Sequence, residues 1–258
     1  GCFDPYRAMW WQVVAIQLED TTSSRRLSVE YYLHASYMAT GTARFAYHSQ
    51  VDQMLVGMQY DFYSSRIVAL GYDTWANKAS ATSWIPAVQM YYISSLENEH
   101  VSVTAESPIE FLATEEDRVL GLDLTTMDPG NNIFWVATAG TPGTDSTDPY
   151  SFSTIIHGIK VEETSSDKIL ASFELLRYRV VVLDSNIHHD VHKLFAVLLD
   201  ETETGNERFA YVQLGLTWRD SNNQLQFNYT FTTLEASVIN RYRYTEYLYK
   251  VYQISGGA

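Results

Sequence analysis

The densest group of side chains able to bind a metal ion is the run His188-His189-Asp190-Val191-His192. On a β-strand, the two-residue alternation would place His188, Asp190 and His192 on one face, and imidazole and carboxylate groups are ligands of zinc and similar ions. Nothing else in the sequence requires a metal, and a polar turn between two strands accounts for the same residues. We therefore predict a turn here, with no metal and no other cofactor.

Two arginines in matching sequence contexts, Arg44 and Arg208, are candidates for binding an oxygen-rich neutral ligand. The planar guanidinium group carries several hydrogen-bond donors in a fixed arrangement, which suits such a ligand. A hairpin contact repeated in two places, or a surface ion pair, would explain the same pair. The sequence leaves these interpretations open.

Aromatic residues are abundant, with 19 Tyr, 11 Phe and 6 Trp, and their rings can stack on sugar rings or on apolar ligands. In a β protein most aromatic rings fill the space between sheets, so only some of them are expected to reach a pocket. With the two arginines, the predicted ligand-binding residues are Arg44, Tyr47, Tyr92, Trp135, Arg208, Tyr211 and Trp218.

No motif for nucleophilic catalysis or phosphate binding is present in the sequence. It contains no Gly-x-Ser-x-Gly, no Cys in the context of a nucleophile and no glycine-rich phosphate loop. Neighbouring carboxylates such as Glu115-Glu116-Asp117 are typical of solvated turns. The sequence therefore assigns no catalytic residues.

The charge balance, 17 Lys and Arg against 31 Asp and Glu, gives a formal net charge of −14. Binding to nucleic acid and binding to anionic membranes both depend on positively charged Lys and Arg that neutralise phosphates. Because this chain is strongly negative, both partners are disfavoured. No apolar run reaches the roughly 18–20 residues of a membrane-spanning helix. A neutral small molecule or glycan is the predicted partner.

Cys2 is the only cysteine, so no intrachain disulfide can form. The sequence starts Gly1-Cys2 without an initiator Met, which resembles the cleavage region of a bacterial lipoprotein, although an arbitrary boundary of the sequence would look the same. We predict a processed N-terminus and a secreted or cell-surface protein.

Alternation of apolar and polar residues predicts strands, for example over Leu27–Leu33, Arg66–Leu70 and Gln224–Tyr229. A short apolar run, Val180–Leu183, is consistent with a central strand. Clusters of Gly, Pro, Asp, Asn and Ser between such segments, among them Asp128–Asn132 and Asp220–Asn223, predict turns. No segment keeps a helical period over more than about ten residues. The composition, 46% hydrophobic and 19% charged, excludes a disordered chain, so an all-β class is predicted.

Internal similarity suggests a repeated unit. Thr40–Tyr47 and Thr204–Tyr211 are identical at six of eight positions, and each is predicted to form a hairpin with a Thr-Gly turn in which Gly41 or Gly205 has positive φ. Strands bearing aromatic residues recur between them at roughly 40-residue intervals, which is the length of one propeller blade. Six such units would fill the 258 residues. We predict a single domain over residues 1–258, a six-bladed β-propeller.

Several segments resemble the Arg-Val-Tyr-Tyr-Gln strand of the fungal fucose-specific lectin propellers. They are Arg44–Tyr47, Gln89–Ser94 and Lys250–Gln253, and Glu106–Ile109 is similar to the segment between blades in that family. The resemblance implies a propeller that binds sugar. The family also places a Glu about twelve positions after the strand Arg, but Arg44 is followed there by Val56 and Gly57, and Arg208 by Asp220 and Ser221. Fucose specificity is therefore not implied.

Two alternatives remain open. Residues 10–95 and 174–255 could be two copies of one barrel, because Trp10-Trp11 followed by Arg25–Val29 is similar to tandem lipocalin-like proteins. The propeller scaffold also resembles a group of fungal pericyclases, enzymes that need only a shaped apolar pocket with a few hydrogen-bond donors. The leading hypothesis is a lectin-like binding module for a neutral ligand in an aromatic-lined pocket; the alternative is a cofactor-independent pericyclase.

Overall fold

The computed structural model describes residues 1–19, 27–38, 44–51, 53–73, 86–94, 100–110, 124–128, 130–139, 153–161, 168–188, 191–200 and 209–234. Within these ranges most residues lie in β-strands and none lies in a helix, which confirms the predicted all-β class. Accordingly, the described ranges contain no helix with the length and hydropathy needed to cross a membrane.

The chain divides into two compact units, residues 1–115 and 116–258. The assignment of residues 1–258 to a single domain stays a prediction. Each unit contains two antiparallel sheets in which strands that are consecutive in the chain are also neighbours in space. Such a meander needs only hairpin connections.

In unit one, sheet one consists of β1 (Cys2–Asp4), β2 (Met9–Glu19), β3 (Leu27–Tyr37) and β4 (Arg44–Val51), in that order. Sheet two consists of β5 (Gln53–Asp61), β6 (Arg66–Asp73), β7 (Pro86–Ile93) and β8 (Val103–Ala105), with β9 (Ile109–Glu110) also paired to β7. The two sheets share one core, because Trp11 and Leu33 of sheet one pack in the same cluster as Ile67 and Tyr91 of sheet two.

In unit two, sheet three consists of β10 (Leu124–Asp128), β11 (Ile133–Ala139), β12 (Ser153–Lys160) and β13 (Ile169–Leu176). Sheet four consists of β14 (Tyr178–His188), β15 (Val191–Asp200), β16 (Phe209–Arg219) and β17 (Leu225–Thr233). Trp135 and Ile156 of sheet three pack in one core with Leu198 and Val212 of sheet four. In both units the first strands of the two sheets lie next to each other.

Three hairpins share one construction. The first strands of sheets one, two and three end in a buried aspartate that is in register with the residue five positions later; these residues are Asp4, Asp61 and Asp128. A four-residue turn follows, and its last residue has positive φ; these residues are Ala8, Ser65 and Asn132. The carboxylates of Asp4 and Asp61 each accept a backbone N–H two residues on, both at 3.0 Å, which stabilises the turn.

The strands that follow the two Thr-Gly segments, β4 and β16, are not equivalent in the structure. Both lead into the second strand of a hairpin, but β4 is the last strand of sheet one, whereas β16 is paired on both sides in sheet four. Tyr47 packs against Trp11 in the core of unit one, with ring centroids 5.7 Å apart, whereas Tyr211 is not part of the core of unit two. Gly41 and Gly205, whose positive φ was predicted, lie outside the described residues.

The described residues therefore contain four sheets of at least four strands rather than six units of about 43 residues. Repetition of antiparallel sheets is confirmed, but it is carried by the aspartate hairpins and not by the Thr-Gly echo on which the unit count was based. The propeller stays a prediction, as does its tandem-barrel alternative.

Candidate ligand-binding face

Sheet four buries one face in the core of unit two and leaves the other face partly exposed. Along β15 the burial alternates without interruption: residues with even numbers are buried and residues with odd numbers are half-buried. Leu194, Ala196 and Leu198 belong to the core. Phe195 and Val197 lie on the opposite side, which we call the outer face of sheet four.

On β16 the alternation is broken by a bulge between Gln213 and Gly215, where the pairing with β17 shifts. Val212 is a core residue before the bulge, Leu214 is a core residue within it, and Thr217 is a buried residue after it. The bulge changes which residues face outward, so that Tyr211 and Trp218 are both on the outer face although seven positions separate them. Trp218 is 36% exposed.

Aromatic rings are clustered on this face. Phe195 of β15 stacks on Tyr211 of β16 with ring centroids 5.6 Å apart and planes within 11° of parallel. Phe209, directly opposite Leu199, is 51% exposed at the start of β16. These rings stand on a four-stranded sheet anchored by the core of unit two, so they are held in place by regular structure rather than by loops.

Hydrogen-bonding side chains surround the rings. Gln213 lies between Tyr211 and Trp218, and its amide nitrogen donates to the hydroxyl of Thr230 at 3.4 Å. Asn228 and Gln226 of β17 are in register with Leu216 and Trp218, and on the other side Asp184 of β14 is in register with Phe195. The outer face of sheet four thus combines aromatic rings with amide, hydroxyl and charged groups.

The other predicted aromatic residues do not lie on this face. Tyr47 packs in unit one as described above. Tyr92, also in unit one, accepts a hydrogen bond from the guanidinium group of Arg66 at 3.1 Å, and Arg66 is held by Asp61. Trp135 is fully buried in the core of unit two, so its ring has no exposed surface on which a ligand could stack.

The side chains of the two predicted arginines are not among those that the structure describes. Arg44 begins β4, but its side chain is outside the described part of the structure, and Arg208 lies outside the described residues altogether. The structure therefore places Tyr211 and Trp218 on the same face of sheet four and leaves the role of the two arginines a prediction.

The predicted turn at the histidine run lies partly outside the described residues, because His189 and Asp190 are not described. His188, at the end of β14, is in register with Val191 at the start of β15, so the two residues belong to different, antiparallel strands. In the described ranges, no group of three or more His, Cys, Asp or Glu side chains is arranged to hold a metal ion.

His192 instead joins a buried polar cluster that links the two sheets of unit two. Its Nδ1 is hydrogen-bonded to Asp128 Oδ1 on β10. Thr217 Oγ1 on β16 donates to Asp128 Oδ2 at 2.8 Å, and the amide of Asn131 approaches the same oxygen at 3.5 Å. Burial raises the pKa of the Asp128 carboxyl, while the contacts with Thr217, His192 and Asn131 act in the opposite direction.

The sequence indicated His192 but not its partners. Asp128 lies 64 residues before His192, and Thr217 lies 25 residues after it. The only sequence signal for Asp128 was its place in the turn cluster Asp128–Asn132, which predicted a turn and nothing about a buried carboxylate. Phe195 was not among the predicted site residues. It follows another apolar residue, so its segment does not show the clear alternation of apolar and polar residues that predicted other strands.

No protein-family model matches the chain, and no curated protein sequence is significantly similar to it. The function therefore has to be inferred from the side chains themselves.

Proposed function

We propose that the protein is a binding module for a neutral carbohydrate and that the outer face of sheet four is its binding site. The observation that carries the proposal is the placement of Tyr211, stacked on Phe195, and of Trp218 on one partly exposed sheet face beside the amides of Gln213 and Asn228.

A sugar ring has an apolar face of C–H groups and an edge of hydroxyl groups. Aromatic side chains cover the first, and amide, hydroxyl and charged side chains bind the second, so a site for sugar needs both kinds within a few ångströms. The outer face of sheet four supplies rings on β15 and β16 and polar groups on the flanking strands β14 and β17.

Charge favours a neutral ligand. The chain carries a formal net charge of −14, which repels sulfated or uronic-acid polymers at a distance. On the outer face itself, the charged residues are Arg179 and Asp184 of β14 and Lys193 of β15, so the face carries two positive charges and one negative charge. The net charge of the whole chain is nevertheless strongly negative and disfavours a polyanion.

The pericyclase alternative requires a different geometry. Such catalysis depends on enclosing an apolar substrate and excluding water. A partly exposed sheet face suits a binding module better than it suits this type of enzyme.

The experiment is a screen of the full chain on an array of neutral glycans, followed by calorimetry on the best ligand. Trp218→Ala should weaken binding about tenfold or more, equivalent to about 1.4 kcal/mol, because it removes an aromatic contact. The matched control is Tyr63→Ala: Tyr63 is 67% exposed in the β5–β6 turn of unit one, and its backbone N–H, not its ring, bonds to Asp61.

The control should bind like the unmodified protein. The proposal fails if no neutral glycan binds, or if Trp218→Ala and Tyr63→Ala have the same effect on binding.

We also propose that the sheets are propeller blades. The support is that each is an up-and-down antiparallel sheet and that, within each unit, the first strands lie side by side, as the inner strands of adjacent blades do. An experimental structure decides the matter: a ring of sheets around a central channel would confirm the proposal, and two separate closed barrels would favour the lipocalin-like alternative.

A further inference from the structure

The outward-facing side chains of β16 form a line along the strand. Tyr211 and Gln213 precede the bulge, and Leu216 and Trp218 follow it; Phe209, more exposed than any of these, starts the line. A strand rises about 3.3 Å per residue, so Tyr211 and Trp218 are separated by about 20 Å, the length of roughly four consecutive hexose units in an extended chain.

Both sides of this line carry hydrogen-bonding groups at intermediate positions. Gln213 is in register with Thr232, Leu216 with Asn228 and Trp218 with Gln226 on β17. On the β15 side, Lys193 is in register with Leu216. A ligand lying along β16 would therefore meet polar groups over the whole distance between the two rings and not only at one end.

A compact ligand would not use this arrangement. A single sugar ring stacked on Tyr211 leaves Trp218 about 20 Å away and unused. A protein partner would be expected on a face whose centre is apolar, but here the centre of the line is Gln213, which is bonded to Thr230. A polyanionic chain is disfavoured by the net charge of −14.

From these observations we infer that the ligand is a linear, neutral polysaccharide that lies along β16 and contacts Tyr211 and Trp218 with sugar units roughly four positions apart. This inference rests on the proposed carbohydrate-binding function and specifies the ligand class.

The test uses the full chain and two linear neutral series, cello-oligosaccharides and malto-oligosaccharides of two to six units, with affinities measured by calorimetry. In at least one series, affinity should rise by about tenfold or more between two units and five, because only the longer chains reach both rings, and should then level off. Two series are used because the linkage sets the curvature of the chain, and the twist of the sheet favours one of them.

Variants separate the two ends of the line. Trp218→Ala and Tyr211→Ala should each abolish the advantage of the longer chains, so that six units bind no better than two. Tyr63→Ala in unit one should preserve the full dependence on length. Thermal unfolding of each variant is measured alongside, and a hexasaccharide advantage lost in a variant with unchanged unfolding is the supporting result.

The outcomes distinguish the inference from the function on which it rests. If a mono- or disaccharide, or only branched glycans on the array, bind through Trp218 and length has no effect, the inference of a linear chain is overturned while carbohydrate binding stands. If neither series nor any arrayed neutral glycan binds, both are overturned.

Discussion

Removing the Asp128 carboxylate should expose how strongly the buried cluster holds the two sheets of unit two together. In Asp128→Ala, the Nδ1–H of His192 and the hydroxyl of Thr217 lose their acceptor inside the protein. Each unsatisfied buried donor costs about 1–3 kcal/mol. The Thr217 hydroxyl can turn towards the carbonyl of His192, 3.4 Å away, which recovers part of the loss. We expect Asp128→Ala to lower the free energy of unfolding by about 2–4 kcal/mol.

Asp128→Asn should be much less costly at neutral pH. The asparagine oxygen can accept from His192, and its amide can donate to Thr217, whose own hydroxyl then donates to the His192 carbonyl. The substitution also removes a buried charge, so we expect a change within about 1 kcal/mol in either direction.

The difference between Asp128→Asn and the unmodified protein should depend on pH. Burial raises the pKa of Asp128, so the folded protein keeps this proton to a higher pH than the unfolded chain does. The unmodified protein therefore loses stability relative to Asp128→Asn as pH rises from the ordinary carboxyl pKa of 3.8 through the raised pKa, and the difference is constant above it.

The assay is guanidinium unfolding of the three proteins between pH 3.5 and 7.5, followed by circular dichroism and tryptophan fluorescence. Glu174→Ala is the control, because Glu174 is exposed on β13 of the same unit and its loss should change stability by less than about 0.5 kcal/mol. Equal stabilities of Asp128→Ala and Asp128→Asn at neutral pH would refute the reasoning, since it depends on the donors that only alanine leaves unpaired.

Three further predictions concern single residues. Gly158→Ala should cost about 1–3 kcal/mol in a denaturation experiment, because the added Cβ would lie 2.6 Å from the fully buried ring of Trp135; a neutral effect would mean that the ring can move aside. Cys2 is buried with its pKa raised to about 12, so the native thiol should react with Ellman's reagent far more slowly than the unfolded one, and equal rates would contradict its burial. Arg66→Met should cost about 3–5 kcal/mol by leaving the buried Asp61 charge without its ion-pair partner, and unfolding at an unchanged denaturant concentration would show that the turn alone satisfies Asp61.

The local elements were predictable from the sequence because they depend on alternation and on turn residues. The alternating segments Leu27–Leu33, Arg66–Leu70 and Gln224–Tyr229 correspond to β3, β6 and β17, and the apolar run Val180–Leu183 lies in β14. The turn predicted at Asp220–Asn223 is present, with Asn223 at φ 61° and its N–H donating to the Asp220 carbonyl. Each of these features is decided within a few residues of the chain.

The repeat that the structure shows, three hairpins in which the turn follows a buried aspartate, could not be predicted from the sequence. The aspartate hairpins share a register and a positive-φ residue, but that residue is Ala8 in one, Ser65 in another and Asn132 in the third. Such a repeat is one of backbone geometry, because the aspartate is the only residue common to all three segments. The Thr-Gly echo has the identity but leads into strands with different neighbours, because pairing partners are set by contacts far apart in the chain.

Only part of the candidate site could be predicted from the sequence, because the site also depends on how distant strands pair. Tyr211 and Trp218 were both among the predicted ligand-binding residues, but strict alternation over seven positions would place them on opposite faces of the sheet. The bulge between Gln213 and Gly215 adds the extra residue that brings them to the same face. The position of a bulge depends on the partner strand, and β17 could not be aligned with β16 from the sequence alone.

The partners of the three aspartates show how one hairpin construction can have two electrostatic outcomes. Asp4 is paired with Arg7 at 2.8 Å and Asp61 with Arg66 at 3.0 Å, and a guanidinium group keeps its charge at every pH that a folded protein meets. Arg7 also donates to backbone carbonyls at the end of β7, so it links sheet one to sheet two with a permanent charge. Asp128 makes the corresponding link in unit two through His192, an imidazole that is charged only when protonated. Burial raises the pKa of the Asp128 carboxyl, and the contacts that oppose this shift come from Thr217, His192 and Asn131 rather than from a guanidinium group.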